Sequence, residues 1–149
     1  MKKLLAVLFS FLIVLGIAGC STQVEYEFYK GAYDIADVAQ PRTEYRIISD
    51  YSQIEAVSSI EYSQDFFDDH TLIVIMDYFP EELTECNVKS VTKKGHKIKI
   101  NMEVDYYYGI SNCIYTTPKI YINYVYVEVK AKGIKEVEIL GMGISAYVT

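Results

Sequence analysis

The groups in this 149-residue chain best suited to chemistry are three cysteines, two histidines and one dense run of carboxylates. Asp65, Asp68, Asp69 and His70 crowd together and Asp77 follows soon after, so these five are the metal candidates by residue type. Calcium needs several oxygens delivered by a shaped loop, and the residue order of an EF-hand is missing. The simpler expectation is that they cap a short turn and keep a strand entrance soluble, with no metal or other cofactor. His96 follows Gly95 in a turn-like stretch, where a solvent-facing role is expected. The serines stand outside any G-x-S-x-G elbow, and neither a phosphate loop nor a dinucleotide fingerprint is present. No catalytic residue is assigned, and the chain reads as a non-enzyme. Cys86 and Cys113 belong to no C-x-x-C pair and to no Cys/His cluster of zinc spacing. Joined, they would close a loop of about 27 residues, worth roughly 3 kcal/mol. Left apart, they would be two buried thiols with the same appearance in sequence, and both readings stand.

The third thiol, Cys20, ends a segment that positions the rest of the chain. Lys2 and Lys3 form a positive head, Leu4 to Ile17 is an almost unbroken apolar core, and small residues precede Cys20. That arrangement is a secretory signal, and its apolar core is short for a membrane span of about 20 residues. Ile17-Ala18-Gly19-Cys20 resembles the lipobox of bacterial lipoproteins. The resemblance implies cleavage between Gly19 and Cys20 and transfer of diacylglycerol to the Cys20 thiol. It places the domain on the extracytoplasmic face of the bacterial cell membrane, with the lipid bilayer as a partner. Two acyl chains make such attachment stable where one is marginal. Ser21 stands where the family's inner-membrane retention signal has Asp.

Residues 1–19 are thus read as a signal peptide, 20–23 as a lipidated short tether and 24–149 as one domain. About 130 residues support one hydrophobic core and are few for two. Losing Lys2 and Lys3 takes the formal charge from −6 to −8. An acidic domain has no basic stripe for phosphates, so nucleic acid is excluded as a partner. The chain holds 15 Tyr and no Trp, and the tyrosines alternate with Val and Ile as strand residues do.

Periodicity places the elements. Val24 to Tyr29 alternates, with Val24, Tyr26 and Phe28 on one face, and residues 30–42 read as irregular around Gly31 and Pro41. Glu44 to Ile48 is a short strand. Asp50 and Gln53 resemble a capping box that opens a helix from Tyr51 to Ser58, with Ile54 and Val57 turned inward. Ser63 to His70 reads as one helical turn that plugs the core with Phe66 or Phe67. Leu72 to Met76, wholly apolar, is the central strand, covered on both faces. A polar loop runs from Pro80 to Glu85. Cys86 to Tyr106 forms a hairpin turning at Gly95, with Ile98, Ile100, Met102, Val104 and Tyr106 facing one way. After a crossing from Tyr107 to Pro118, Ile120 to Lys130 lies inside a sheet, Ile134 to Leu140 forms a last long strand, and Ile144 to Val148 a further short one. The expected fold is mostly β: an antiparallel sandwich or partly open barrel with one short packed helix.

The run Tyr62-Ser63-Gln64-Asp65-Phe66-Phe67-Asp68-Asp69-His70-Thr71-Leu72-Ile73-Val74-Ile75, then Val88 to Val91 and the alternating Lys97 to Val104, resembles small lipoproteins of low-GC Gram-positive bacteria. These are similar in turn to the carboxy-terminal domain of a protease-complex accessory subunit. The resemblance covers about Ile47 to Val129. It implies a β-domain working beside another protein, with no catalytic residues to transfer. Where the family has a Gly-rich turn after the central strand, this chain has Asp77-Tyr78-Phe79-Pro80-Glu81-Glu82.

Two stretches are candidates for contact with another envelope or secreted protein: the acidic Glu81, Glu82 and Glu85, and the aromatic Tyr106, Tyr107 and Tyr108. Acidic loops attract basic partners at long range, and tyrosines carry recognition energy at low ordering cost. The expected function is a membrane-anchored protein-interaction module, a partner or regulator of an exported protease. The alternative is an envelope ligand-binding lipoprotein or small hydrolase.

Overall fold

An uninterrupted apolar run needs cover on both faces, and Leu72 to Met76 has it. The computed structural model describes residues 20–36, 40–56, 61–106 and 120–142. Its strands are β1 (Thr22–Gln23), β2 (Tyr26–Ala36), β3 (Arg42–Ile48), β4 (Thr71–Phe79), β5 (Leu83–Lys94), β6 (Lys97–Tyr106), β7 (Ile120–Val129) and β8 (Glu136–Leu140). They form two packed four-stranded sheets, in the orders β1-β5-β6-β8 and β2-β7-β4-β3. The fold is a sandwich, not a closed barrel.

Strand β4 lies between β3 and β7, antiparallel to both. Its Ile73 and Ile75, with Val125, Val127 and Val129 of β7, face Val88, Val91, Ile98, Ile100 and Met102 of the other sheet in the main core. Its other face, Leu72, Val74 and Met76, packs with Ile48, Phe67 and Tyr126. Fully burying an aliphatic side chain contributes about 1.5–3 kcal/mol, so the two clusters together dominate the stability. Phe67, buried on the short 3₁₀ turn Gln64–Asp68, is the plug expected ahead of β4.

The hairpin β5–β6 pairs Lys94 with Lys97 across Gly95 and His96. Gly95 takes φ +59° and His96 a negative φ, the pattern of a II′ turn, whose twist matches the strands it joins. Ile98, Ile100, Met102 and Tyr106 are buried as the alternation requires, and Val104 is half-buried.

Four local expectations are corrected. The helix expected from Tyr51 to Ser58 is a 3₁₀ turn, Tyr51–Ala56, and residues 57–60 lie outside the described residues. Its start explains the tighter winding: Asp50 Oδ1 accepts from the amide (2.9 Å) and hydroxyl (2.7 Å) of Ser52, and the Gln53 amide bonds to the Asp50 carbonyl (3.1 Å). Gln53 Oε1 reaches back to the amide of Ser49 (2.9 Å), one residue earlier than a capping box would. The first long strand does not stop at Tyr29. It continues to Ala36 because β7 offers it a paired edge, and a register shift between Lys30 and Tyr33 absorbs the irregularity around Gly31.

The polar loop ends before Glu85. Leu83 already belongs to β5, since the Asn123 side chain accepts its amide (2.8 Å) and Thr84 Oγ1 donates to the Asp105 carbonyl (2.9 Å). Last, β8 runs parallel to β6. The intervening β7 lies in the opposite sheet, so the chain returns at the end where β6 starts and must run the same way. The expected crossing from Tyr107 to Pro118, the short strand expected from Ile144 to Val148 and residues 37–39 lie outside the described residues.

Residues 22 and 23, at the end of the expected short tether, pair with Lys93 and Thr92 of β5. The Tyr26 hydroxyl donates to the Val88 carbonyl (3.0 Å), so the amino-terminal segment ties the two sheets together.

Candidate interaction surface

The end of the sandwich opposite the β5–β6 turn combines buried polar groups with exposed rings. Asp77 of β4 and Asn123 of β7 are register partners on the face turned toward the other sheet, and both are buried. Thr43 Oγ1 donates to Asp77 Oδ1 (2.9 Å), and the Tyr106 hydroxyl donates to Asp77 Oδ2. Tyr106 also stacks on Phe79, with ring centroids 4.1 Å apart. Burial pushes the Asp77 carboxyl above its ordinary range, against the opposing pull of the Tyr106 and Thr43 hydrogen bonds. Asn123 Oδ1 accepts from the Leu83 amide and its Nδ2 donates to the Glu81 carbonyl (3.0 Å), which fixes the turn from 80 to 83. The cluster is satisfied by protein partners, as burial of polar groups demands.

Beyond it the aromatic residues are open. Lys30 Nζ donates to the Leu83 carbonyl (2.8 Å) and ties β2 to the start of β5. Past Lys30, Tyr33 and Ile35 continue on the same face of β2 and are 48% and 54% exposed. Tyr33 is the register partner of Asn123 and Ile35 of Tyr121. The Tyr33 and Tyr121 rings meet edge to face at 5.3 Å, which fixes an aromatic pair beside an exposed isoleucine. Through Asn123 this group adjoins Glu81, whose carboxyl burial raises above its ordinary range and whose Oε2 is buried without a hydrogen-bond partner among the described residues.

The sequence candidates divide. Glu81 and Glu82, half-buried, stand at this end, and Glu85 is exposed on β5. Tyr106 is corrected: its ring is buried and its hydroxyl is engaged by Asp77, so it supports the surface from within and presents nothing to a partner. Tyr107 and Tyr108 lie outside the described residues. Sequence reading missed Tyr33, Ile35 and Tyr121. Their alternation within an extended strand was the available signal, hidden by reading residues 30–42 as irregular.

A second aromatic group lies on the outer face of the β2-β7-β4-β3 sheet and serves packing. Tyr29 stacks on Tyr126 at 5.1 Å, and Tyr124 lies 6.3 Å from Tyr126. The Tyr62 hydroxyl donates to Glu128 Oε1 (2.9 Å) and shares a short contact with the Tyr29 hydroxyl. Burial is the main cause that pushes Tyr29 up to about 12, and Tyr62 is raised as well. Arg42 lies over the Tyr78 ring, 4.4 Å from its centroid, while its Nε pairs with Glu44 at 2.7 Å.

The metal candidates are not assembled. Asp65 and Asp68 are exposed on the 3₁₀ turn, Asp69 pairs with His70 Nδ1 (2.5 Å), and His70 stacks on Phe66. Asp77 is seven strand steps beyond His70, roughly 23 Å along an extended chain, too far to share an ion with it. Among the described residues no group of three or more His, Cys, Asp or Glu side chains is placed to hold a metal ion. His96 is exposed, and its Nδ1 lies 2.8 Å from the Gly133 carbonyl. Cys20 is exposed, two residues before β1. Cys86 is a free, half-buried thiol that burial pushes up to about 11, with Lys30 acting in the opposite direction, and Cys113 lies outside the described residues. Among the described residues no helix is long and apolar enough to cross a membrane.

Comparison with protein-family models, with curated proteins and with solved structures returns no match.

Proposed function

We propose that this protein is a membrane-anchored, extracytoplasmic protein-interaction module that binds its partner through Tyr33, Ile35 and Tyr121, flanked by Glu81 and Glu82. The observation that carries the reading is the exposure of Tyr33 and Ile35 on a strand face that elsewhere forms the core. Exposed large apolar residues grouped beside polar ones mark contact sites, and tyrosine is enriched among residues that dominate binding energy. The rings stand on paired strands whose end is tied by Asp77 and Asn123, so little ordering entropy is lost on binding. The carboxylates favour a partner with basic residues around an apolar patch. With Cys20 acylated, this surface is at the opposite end of the sandwich from the anchor and faces away from the bilayer. The resemblance to small Gram-positive lipoproteins makes an exported protease the partner class to test first.

The test is crosslinking in intact membranes followed by recovery of the wild-type protein and of a Tyr33→Ser/Ile35→Ser variant. Recovery of the partner should fall about tenfold or more, as expected for removal of a hot-spot pair. Unchanged recovery, with the variant's denaturant midpoint close to wild type, overturns the surface.

A further inference from the structure

We propose that the β5–β6 turn is a second membrane contact, which docks on anionic phospholipid headgroups beside Cys20. The inference rests on the lipid anchoring proposed above and adds to it an orientation.

The β1–β5 ladder carries the argument. Thr22 lies opposite Lys93 and Gln23 opposite Thr92, and the Val24 amide donates to the Val91 carbonyl (3.1 Å). The strands are antiparallel, so going back from Thr22 to Cys20 moves toward the turn, over at most about 7 Å for two residues. Cys20 therefore leaves the domain next to Lys94, Gly95 and His96. Acyl chains on its thiol would bring this turn to the headgroup layer.

The charges gathered there are basic, in a domain that is acidic as a whole. Lys94 and Lys135 are exposed and Lys93 is half-buried. The Lys135 amide donates to the His96 carbonyl (2.8 Å), and His96 Nδ1 lies 2.8 Å from the Gly133 carbonyl, so the β7–β8 connection is held against the turn. Lys97 is already balanced by Glu136 (2.9 Å) and Glu138 (3.1 Å). Among the described residues no carboxylate lies within ion-pair distance of Lys93, Lys94 or Lys135. Three ammonium groups with no ion-pair partner among the described residues thus stand at the end of the sandwich where Cys20 leaves the domain. A lysine held at an anionic bilayer favours the bound state by about fivefold, and the attraction dies within a Debye length of about 8–10 Å. Acidic Asp65, Asp68 and Asp69 precede β4 on the other sheet's side of the same end, where Lys132 Nζ donates to the Phe67 carbonyl (2.6 Å). Repulsion lifts that side, so the domain tilts with its β5–β6 turn toward the lipid.

The test uses the acylated protein purified from membranes and reconstituted into vesicles of phosphatidylcholine alone, or with one lipid in three replaced by phosphatidylglycerol. Lysine acetylation rates are read by mass spectrometry. Lys93, Lys94 and Lys135 should react about threefold or more slowly on the anionic vesicles, while Lys89, farther back along β5, reacts equally on both. High salt should erase the difference. A Lys93→Gln/Lys94→Gln variant, changed only at the turn, should lose the protection of Lys135. Equal rates on the two vesicles overturn the proposal, as does protection seen in native membranes and never on anionic vesicles, which would assign the turn to a protein partner. The anchoring itself is read separately: a Cys20 peptide without acyl mass, in a protein that floats with neither vesicle, removes the anchor and this proposal together.

Discussion

The Tyr106 hydroxyl donates across the sandwich to the buried carboxyl of Asp77, joining the end of β6 to β4. That bond, with the one from Thr43, is what allows a carboxyl to remain inside an otherwise apolar core. Removing the donor by Tyr106→Phe leaves Asp77 one partner short and should cost about 1.5–3 kcal/mol, read as a lower urea midpoint with an unchanged slope.

The same carboxyl makes stability depend on pH. Burial raises the Asp77 pKa in the folded chain above 3.8, so between that value and its folded pKa the native state holds more protons than the unfolded state. Stability from this group is full at low pH and falls as pH rises through that window. Asp77→Asn should remove the fall. Equal pH slopes for wild type and variant, measured by urea unfolding from pH 3 to 8, would show that Asp77 is not perturbed by burial.

Gly141 and Gly95 both hold a positive φ, +88° and +59°, yet their surroundings differ. A Cβ on Gly141 would stand 1.8 Å from the Met102 carbonyl oxygen, where β8 ends against β6, whereas one on Gly95 meets nothing within 4 Å. Gly95→Ala should therefore cost about 1–2 kcal/mol, the left-handed backbone alone. Gly141→Ala should cost about 3 kcal/mol or more, because backbone atoms must also move. Similar midpoints for the two variants would count against the close approach of Gly141 to Met102.

Burial and a raised pKa make Cys86 a slow nucleophile. A shift from 9.0 to about 11 lowers the thiolate fraction near pH 8 by about a hundredfold, before any shielding. In the folded protein Cys86 should alkylate at least that much more slowly than after unfolding in urea, with no reductant needed. If Cys86 labels after unfolding only once reductant is added, the thiol is bridged and Cys113 becomes its partner.

Much of the fold is readable from residues that alternate or refuse to. Lys97 to Tyr106 shows period two because one face is wet, and Leu72 to Met76 shows none because both faces are dry. The resulting strands, the turn at Gly95 and a plug by Phe66 or Phe67 all follow from local pattern. The interaction surface was not readable in the same way. Tyr33 and Ile35 alternate like core residues, and only the point where the opposite sheet stops separates them from Tyr26 and Phe28, which pack inside. Tyr106 shows the converse: an aromatic residue ahead of a Gly-containing stretch reads as a presented ring, yet the last turn of the register carries it inward to Asp77.

By itself, the sequence determined that this chain builds a mostly β domain, a sandwich or partly open barrel, around one dry strand and one half-wet hairpin, since side-chain alternation reports burial at each residue. Tertiary structure alone decided which residues share an end of the sandwich. The parallel course of β8, the meeting of Asp77, Thr43, Tyr106 and Asn123, and the closeness of Cys20 to Lys94 all depend on how strands far apart in the chain are registered and stacked. Those relations arise from cross-strand hydrogen bonds and inter-sheet packing, which leave no periodic mark on the residues between.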